Sequence, residues 1–235
     1  MNKELAYLLG FFYADGCVSK QTKYRKITKD FIDHYRIDIE ILTSDSEAIK
    51  YCFDKVGIMY TSSKRFRKNS PREQTAFRIS AKEPLRNLFI HTCQNKNNPK
   101  EGLEIIPTEY HPYFLRGFFD GDGCITVSKR NQARMYFYGT YDFIWNPIFD
   151  IFQTLDIHYI YQQIVRKQGK HKSSHVFISN KFGIIKLFEY MYPDRMFDFG
   201  LYRKFEKMKL TIESATIIRE IRGKDQKAES LKIFS

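Results

Sequence analysis

The chain has 235 residues, 39 of them Lys or Arg against 27 Asp or Glu, giving a net charge of +12. An apolar fraction of 43% and an aromatic fraction of 16% exclude wholesale disorder and supply a packed core, and the length allows one large domain or two small ones. The positive excess points to a polyanionic partner, most simply nucleic acid.

In chain order, the pattern predicts a first helix ending near Gly16, then strands near 17–27 and 34–43. A helix follows from about 45, with Ser44 and Glu47 spaced as a capping box. Strands near 58–67 and 74–80 precede a helix near 82–92, and the polar stretch 94–102 reads as a linker. A second apolar helix ends near Gly123. It is followed by strands near 124–130 and 133–140, a helix near 142–155, strands near 157–167 and 174–179, and helices near 181–191 and 201–222. The same order therefore occurs twice. Short matches support the duplication: Val56-Gly-Ile-Met-Tyr60 parallels Leu155-Asp-Ile-His-Tyr159, and Phe77-Arg-Ile-Ser-Ala-Lys82 parallels Val176-Phe-Ile-Ser-Asn-Lys181. The expected fold is α+β, two pseudo-symmetric αββαββα repeats over residues 1–98 and 108–215, joined by a linker over 99–107. Residues 216–235 read as a helical tail, with a partial helix-turn-helix as the alternative.

The duplication is clearest in two nonapeptides. Residues 8–16 read Leu-Leu-Gly-Phe-Phe-Tyr-Ala-Asp-Gly, and residues 115–123 read Leu-Arg-Gly-Phe-Phe-Asp-Gly-Asp-Gly. Gly10 and Ala14 lie four apart on one helix face, as do Gly117 and Gly121, a spacing that lets two helix backbones approach closely. Gly16 and Gly123 are expected to end the helices in a left-handed conformation. Asp15 and Asp122 would then share the negative ends of two adjacent helices, an arrangement that a divalent cation resolves. A single Asp-Gly is an ordinary turn signal; two in this repeated context point to function.

These motifs resemble those of the LAGLIDADG homing endonucleases in their single-chain, two-motif form. The second motif, Phe114 to Gly123, is close to the family pattern; the first departs from it at Tyr13, where the pattern has an acid. The resemblance implies that the paired motif helices carry a β-saddle for DNA. It places Asp15 and Asp122, with the adjoining Ala14 and Gly121, at Mg²⁺ or Mn²⁺, with Ca²⁺ binding without supporting cleavage. It implies a monomer that hydrolyses one phosphodiester on each strand of a long, non-palindromic double-stranded site. It also implies a basic residue near each scissile phosphate, for which Lys100 and Lys204 are the candidates. The alternative is a non-cleaving DNA- or RNA-binding relative, such as an intron maturase or transcription regulator; the presence of both aspartates argues against it. An intein is disfavoured, because the chain has no splicing-type start and no terminal His-Asn.

Basic strand residues are the expected DNA contacts: Lys20, Lys23 and Arg25; Lys64, Arg65 and Arg67; Arg78; Lys129, Arg130, Gln132 and Arg134; and Gln162, Arg166, Lys167 and Lys170. Thr43 and Thr140 end matching strands and are candidates for holding water. His171 and His175 lack the further ligands of a zinc site. Asp120-Gly-Asp-Gly fails as a calcium loop because Cys124 takes a ligand position. Cys17, Cys52, Cys93 and Cys124 show no pairing pattern and read as reduced thiols. The N-terminus has no cleavage site, and Asp15 interrupts its apolar run, so neither secretion nor membrane insertion is expected. The expected location is cytoplasmic or organellar, wherever the target DNA resides.

Overall fold

The computed structural model describes residues 1–66, 71–80, 82, 84–128, 132–165 and 172–213. Arg67, Lys129, Arg130, Arg166, Lys167, Lys170, the side chain of Lys23 and the expected tail over 216–235 lie outside the described residues.

The first half runs α1 (Lys3–Asp15), β1 (Cys17–Arg25), β2 (Asp30–Leu42), α2 (Ser46–Val56), β3 (Met59–Phe66), β4 (Glu73–Ser80) and α3 (Leu85–Gln94). After α4 (Pro99–Ile105), the second half runs α5 (His111–Asp122), β5 (Gly123–Val127), β6 (Ala133–Thr140), α6 (Asn146–Thr154), β7 (Ile160–Val165), β8 (Lys172–Ile178), α7 (Lys181–Met191) and α8 over residues 202–213. Two antiparallel four-stranded sheets result, ordered β1-β2-β4-β3 and β5-β6-β8-β7. The α+β fold of two repeated units read from the sequence is the fold observed.

Each sheet turns one face to the helices, as its period-two pattern dictates. Ile37, Ile39, Ile41, Phe77 and Ile79 bury from the first sheet; Met135, Phe137, Val176 and Ile178 bury from the second. The motif helices lie between these faces, which explains why α1 is apolar nearly all round. Phe12 packs on Phe53 and Phe89, and Phe119 packs on Phe137.

The small residues let α1 and α5 touch backbone to backbone. A Cβ on Gly10 would fall 1.9 Å from the Phe114 carbonyl oxygen, and one on Gly117 would fall 2.0 Å from that of Tyr7. Near the helix ends, a Cβ on Gly121 would lie 2.4 Å from the Ala14 methyl.

Three local expectations are corrected. Gly16 and Gly123 are extended, with φ of −69° and −91°, not left-handed. Glycine is needed there for room, since a Cβ would lie 2.5 Å and 2.4 Å from the carbonyl oxygens of Phe12 and Phe119. The Ser44–Glu47 capping box does not form: α2 starts one residue later, at Ser46, whose Oγ donates to the Thr43 carbonyl, and Arg203 forks onto Asp45. The linker contains a helix, α4, started by Pro99 and capped by Asn98, whose side chain accepts from the Lys100 amide.

Candidate active site at the paired helix ends

Asp15 closes α1 and Asp122 closes α5, and the close contact of the helices brings the two carboxylates together. Asp15 Oδ2 lies 3.6 Å from the point where a Gly121 Cβ would stand, so any larger residue there would press on the carboxylate. Burial, and then the Asp15 charge, push Asp122 up to about 6. Lys96 and Lys204 act in the opposite direction on the same carboxyl.

These two lysines finish the two helices. Lys96 Nζ donates to the Ala14 carbonyl at 2.8 Å. Lys204 Nζ donates to the carbonyls of Phe119, Asp120 and Gly123 at 2.8, 2.6 and 2.9 Å. An ammonium at a helix C-terminus satisfies carbonyls that the helix leaves open and offsets its partial negative charge. Lys204 is almost wholly buried, which pushes its pKa below the ordinary lysine range.

The segments bearing the lysines are held from equivalent positions of the two motifs. Tyr13, 2% exposed, donates its hydroxyl to the Lys96 carbonyl at 2.7 Å. Its counterpart Asp120, also 2% exposed, accepts from the Leu201 amide and the Tyr7 hydroxyl, both at 2.9 Å. The departure at Tyr13 is therefore accommodated by a different bond made to the matching segment.

Lys204 lies against the end of α5, and Lys100 lies elsewhere, on α4. Lys100 is exposed on α4, 3.6 Å from Glu104, beside an apolar groove that includes Leu103 and Pro147. Sequence reasoning missed Lys96. Its sole local signal is position: it precedes the Asn98-Pro99 helix start and lies in the stretch read as linker.

Register sorts the basic strand residues. Partners across a ladder share a face, so Arg25, Arg65, Arg78, Arg134 and Gln162 lie on the faces turned away from the helices. Lys20 and Lys64 are corrected to the opposite, helix-side face, because they are paired with Tyr35 and Thr75. Lys64 is 3.3 Å from Glu73, and Arg25 is 2.8 Å from Asp30. Gln132 lies in the turn before β6, its amide donating to Ser128 Oγ. A concavity lined by Asp15, Arg36, Asp38, Arg65 and Arg78 runs from the helix ends onto the outer face of the first sheet. Of the two threonines, Thr43 Oγ1 lies 3.0 Å from Thr75 Oγ1, and Thr140 donates to Asn97 at 2.6 Å.

Among the described residues, no group of three or more His, Cys, Asp or Glu side chains gathers in metal-ligating geometry. No helix among them is long and apolar enough to cross a membrane.

A family model described as a LAGLIDADG-like domain matches residues 2–91 and 109–191. Three solved structures illustrate the likeness in fold. A lysine-to-alanine mutant of I-SmaMI is 12% identical with a TM-score of 0.57, over 94% of this chain and 91% of that one. The LAGLIDADG homing endonuclease I-GzeII in complex with its DNA target is 13% identical with a TM-score of 0.56, over 94% and 92%. I-SmaMI bound to uncleaved DNA in the presence of calcium ions is 12% identical with a TM-score of 0.54, over 94% and 93%. No curated protein matches the chain. Each matched stretch contains one motif helix and one four-stranded sheet, and on this evidence the chain belongs to the LAGLIDADG family.

Proposed function

We propose that this protein is a site-specific endonuclease of double-stranded DNA, hydrolysing one phosphodiester on each strand at the paired ends of α1 and α5. The observation that carries the reading is the side-by-side placement of Asp15 and Asp122, with Asp122 pushed up to about 6 by burial and by its neighbour. Two carboxylates in that relation call for a positive charge between them.

A divalent cation fits the donors present. Carboxylate and carbonyl oxygens are hard ligands, and Mg²⁺ takes one or two carboxylates while keeping waters and substrate phosphate oxygens in its shell. Asp15 and Asp122 would hold it, with the Gly121 carbonyl adjoining; the Ala14 carbonyl, expected at the metal, accepts from the Lys96 ammonium instead. When bound, Mg²⁺ or Mn²⁺ polarises a phosphoryl oxygen and lowers the pKa of water.

The chain's own residues supply the rest. Lys96 and Lys204 are anchored on helix-end carbonyls, so each ammonium waits in a fixed place beside the carboxylates. Positive charge fixed in advance stabilises the negative charge that builds on the phosphoryl and leaving oxygens as water attacks. Asp120 and Tyr13 hold the backbone that carries these lysines. The outer sheet faces, bearing Arg25, Arg65, Arg78, Arg134 and Gln162, form the binding saddle. Because the halves differ, one chain covers a non-palindromic site without a second copy.

The test is recovery of linearised plasmids from a randomised-site library incubated with the full chain and Mg²⁺. One recurrent cut site is expected, lost with the metal. Sequence-selective binding without any cut would instead identify a non-cleaving relative.

A further inference from the structure

Both sheets keep one register, so the central outward residues of the first have counterparts in the second. Asp38 pairs with Cys17 and Arg78; Tyr136 pairs with Cys124 and Phe177. By the same ladders Glu40 corresponds to Tyr138 and Arg65 to Ile164. At these four positions, Asp38, Glu40, Arg65 and Arg78 of the first face give way to Tyr136, Tyr138, Ile164 and Phe177 of the second, while Arg36 keeps its charge as Arg134.

The first face is an ion lattice. Arg36 and Arg78 both bond Asp38, and Arg65 Nε donates to Glu40 at 3.0 Å. On the second face Tyr136 and Tyr138 stack with centroids 5.8 Å apart, and each ring lies 5.7 Å from His175. Phe177 lies 5.2 Å from Tyr136, with the Arg134 guanidinium over it. Tyr138 is 40% exposed, and Ile160 and Ile164 extend the patch along β7 at 37% and 36%. Burial lowers the His175 pKa, which favours its neutral imidazole.

Each face has a different complement in a major groove. A carboxylate facing a polyanion is tolerable where it aims an arginine fork or accepts from a base amino group. Arginine matches guanine O6 and N7, and carboxylates accept from cytosine N4. Isoleucines and the faces of aromatic rings find no partner among phosphates, whatever a tyrosine hydroxyl donates at its edge; the apolar group that DNA shows in the major groove is the thymine methyl.

We propose that the two sheets read half-sites of opposite chemistry: the first reads guanine–cytosine pairs through Arg65 and Arg78, and the second reads thymine methyl groups through Tyr136, Tyr138 and Ile164. This rests on the DNA-cleaving reading above and specifies its substrate.

The test is selection of randomised duplexes by the full chain, with Ca²⁺ in place of Mg²⁺. One half of the selected site should be rich in guanine and cytosine, the other in thymine. Arg65→Gln and Arg78→Gln, both at exposed positions, should relax preference in the first half alone, by about 5- to 150-fold at the base each one reads. Uracil in place of thymine should weaken binding about fourfold per buried methyl in the second half and leave the first unchanged. Tyr138→Ala should remove part of that uracil penalty. No selected sequence at all would overturn the DNA-binding reading itself. A selected site with like composition in both halves, or with no uracil penalty, would overturn this inference alone.

Discussion

At the end of α1, an ammonium from a loop, Lys96, rests on the Ala14 carbonyl, and the loop is held by a phenol. At the end of α5, a buried ammonium from α8 rests on three carbonyls, and its segment is held by a carboxylate. The bond polarity is inverted between the two ends. Asp120 accepts because the segment beside it offers an amide N–H, whereas Tyr13 donates because its segment offers a carbonyl. The comparison separates what the motif must supply from what it merely can. The aspartate before the last glycine is present in both copies. The earlier acid of the pattern is dispensable here, since any side chain that satisfies the adjacent backbone can hold the segment.

The largest expected effect comes from removing what the two ends share. Asp15→Asn or Asp122→Asn should cut double-strand cleavage by about a thousandfold or more, on the scale of losing preorganised charge stabilisation. DNA binding should persist, because it rests on phosphate and base contacts distant from these carboxylates. Cleavage assays in Mg²⁺ beside a mobility-shift titration measure both. Full cleavage by both variants would remove the aspartates from the chemistry.

Separating the two ends should cost nearly as much by another route. Gly117→Leu would drive a side chain into the Tyr7 carbonyl, which already lies 2.0 Å from the Cβ position. Overpacking of this kind costs about 1–3 kcal/mol where neighbours can yield, and backbone yields least. The variant should melt well below the parent and cut neither strand. An unchanged melting temperature would mean that α1 and α5 do not meet at this position.

The lysines come next. Lys204→Ala leaves three carbonyls without their ammonium, and Lys96→Ala leaves that of Ala14. Each should slow one strand's cut by about a hundredfold, on the scale of losing one preorganised stabilising charge, so nicked plasmid should accumulate. Lys204→Ala should also lose the more stability. Lys100→Ala, which touches neither end, should change neither cut. Equal loss on both strands from either variant would break the one-lysine-per-strand assignment.

Why one of these lysines was visible in the sequence and the other was not has a physical reason. The fold followed from features with a period: isoleucines alternating in β2, small residues four apart in the motifs, and a duplicated order of elements. The paired aspartates followed from the repeat. Lys96 follows from none of these, because its position depends on a non-periodic loop folding back onto α1, a contact 82 residues distant in sequence. The helix-side placement of Lys20 and Lys64 depended on register, which a run of consecutive basic residues cannot reveal. The conformation of Gly16 and Gly123 was misjudged because two demands on glycine, positive φ and absence of Cβ, look alike in a sequence.

Burial of Asp122, with the neighbouring Asp15 charge, also sets a pH dependence. The Asp122 pKa is about 6 in the folded chain, above the ordinary carboxylate value, so the folded state binds this proton more tightly than the unfolded state does. Its contribution to stability is full below about pH 4 and is lost as pH rises through 6. Without metal, this group should make the protein on the order of 2 kcal/mol less stable at pH 7 than at pH 4. Asp122→Asn should flatten that dependence in thermal melts across this range. Mg²⁺ should stabilise the parent at pH 7 more than at pH 5, because protons compete for the same oxygens. A parent and variant with parallel pH profiles would show that the Asp122 carboxyl is not raised by its surroundings.

The smallest expected effect is the sharpest test of the inverted tether. Tyr13→Phe keeps the ring, and with it the contacts to Phe114, Phe118 and Phe143, and deletes only the hydroxyl that donates to the Lys96 carbonyl. A single hydrogen bond of this kind contributes about 1 kcal/mol, so the strand served by Lys96 should be cut several-fold more slowly, with binding unchanged. The nick should appear in the same strand as with Lys96→Ala, and combining the two changes should slow it little further, since both act through one ammonium. Tyr13→Asp would restore the acid of the family pattern, yet it should be worse than Tyr13→Phe. It sets a carboxylate against a carbonyl, two acceptors with no proton between them, in a site that is 2% exposed. If Tyr13→Asp instead cuts as well as the parent, the tether is not read by bond polarity, and the difference between the two helix ends is one of packing alone.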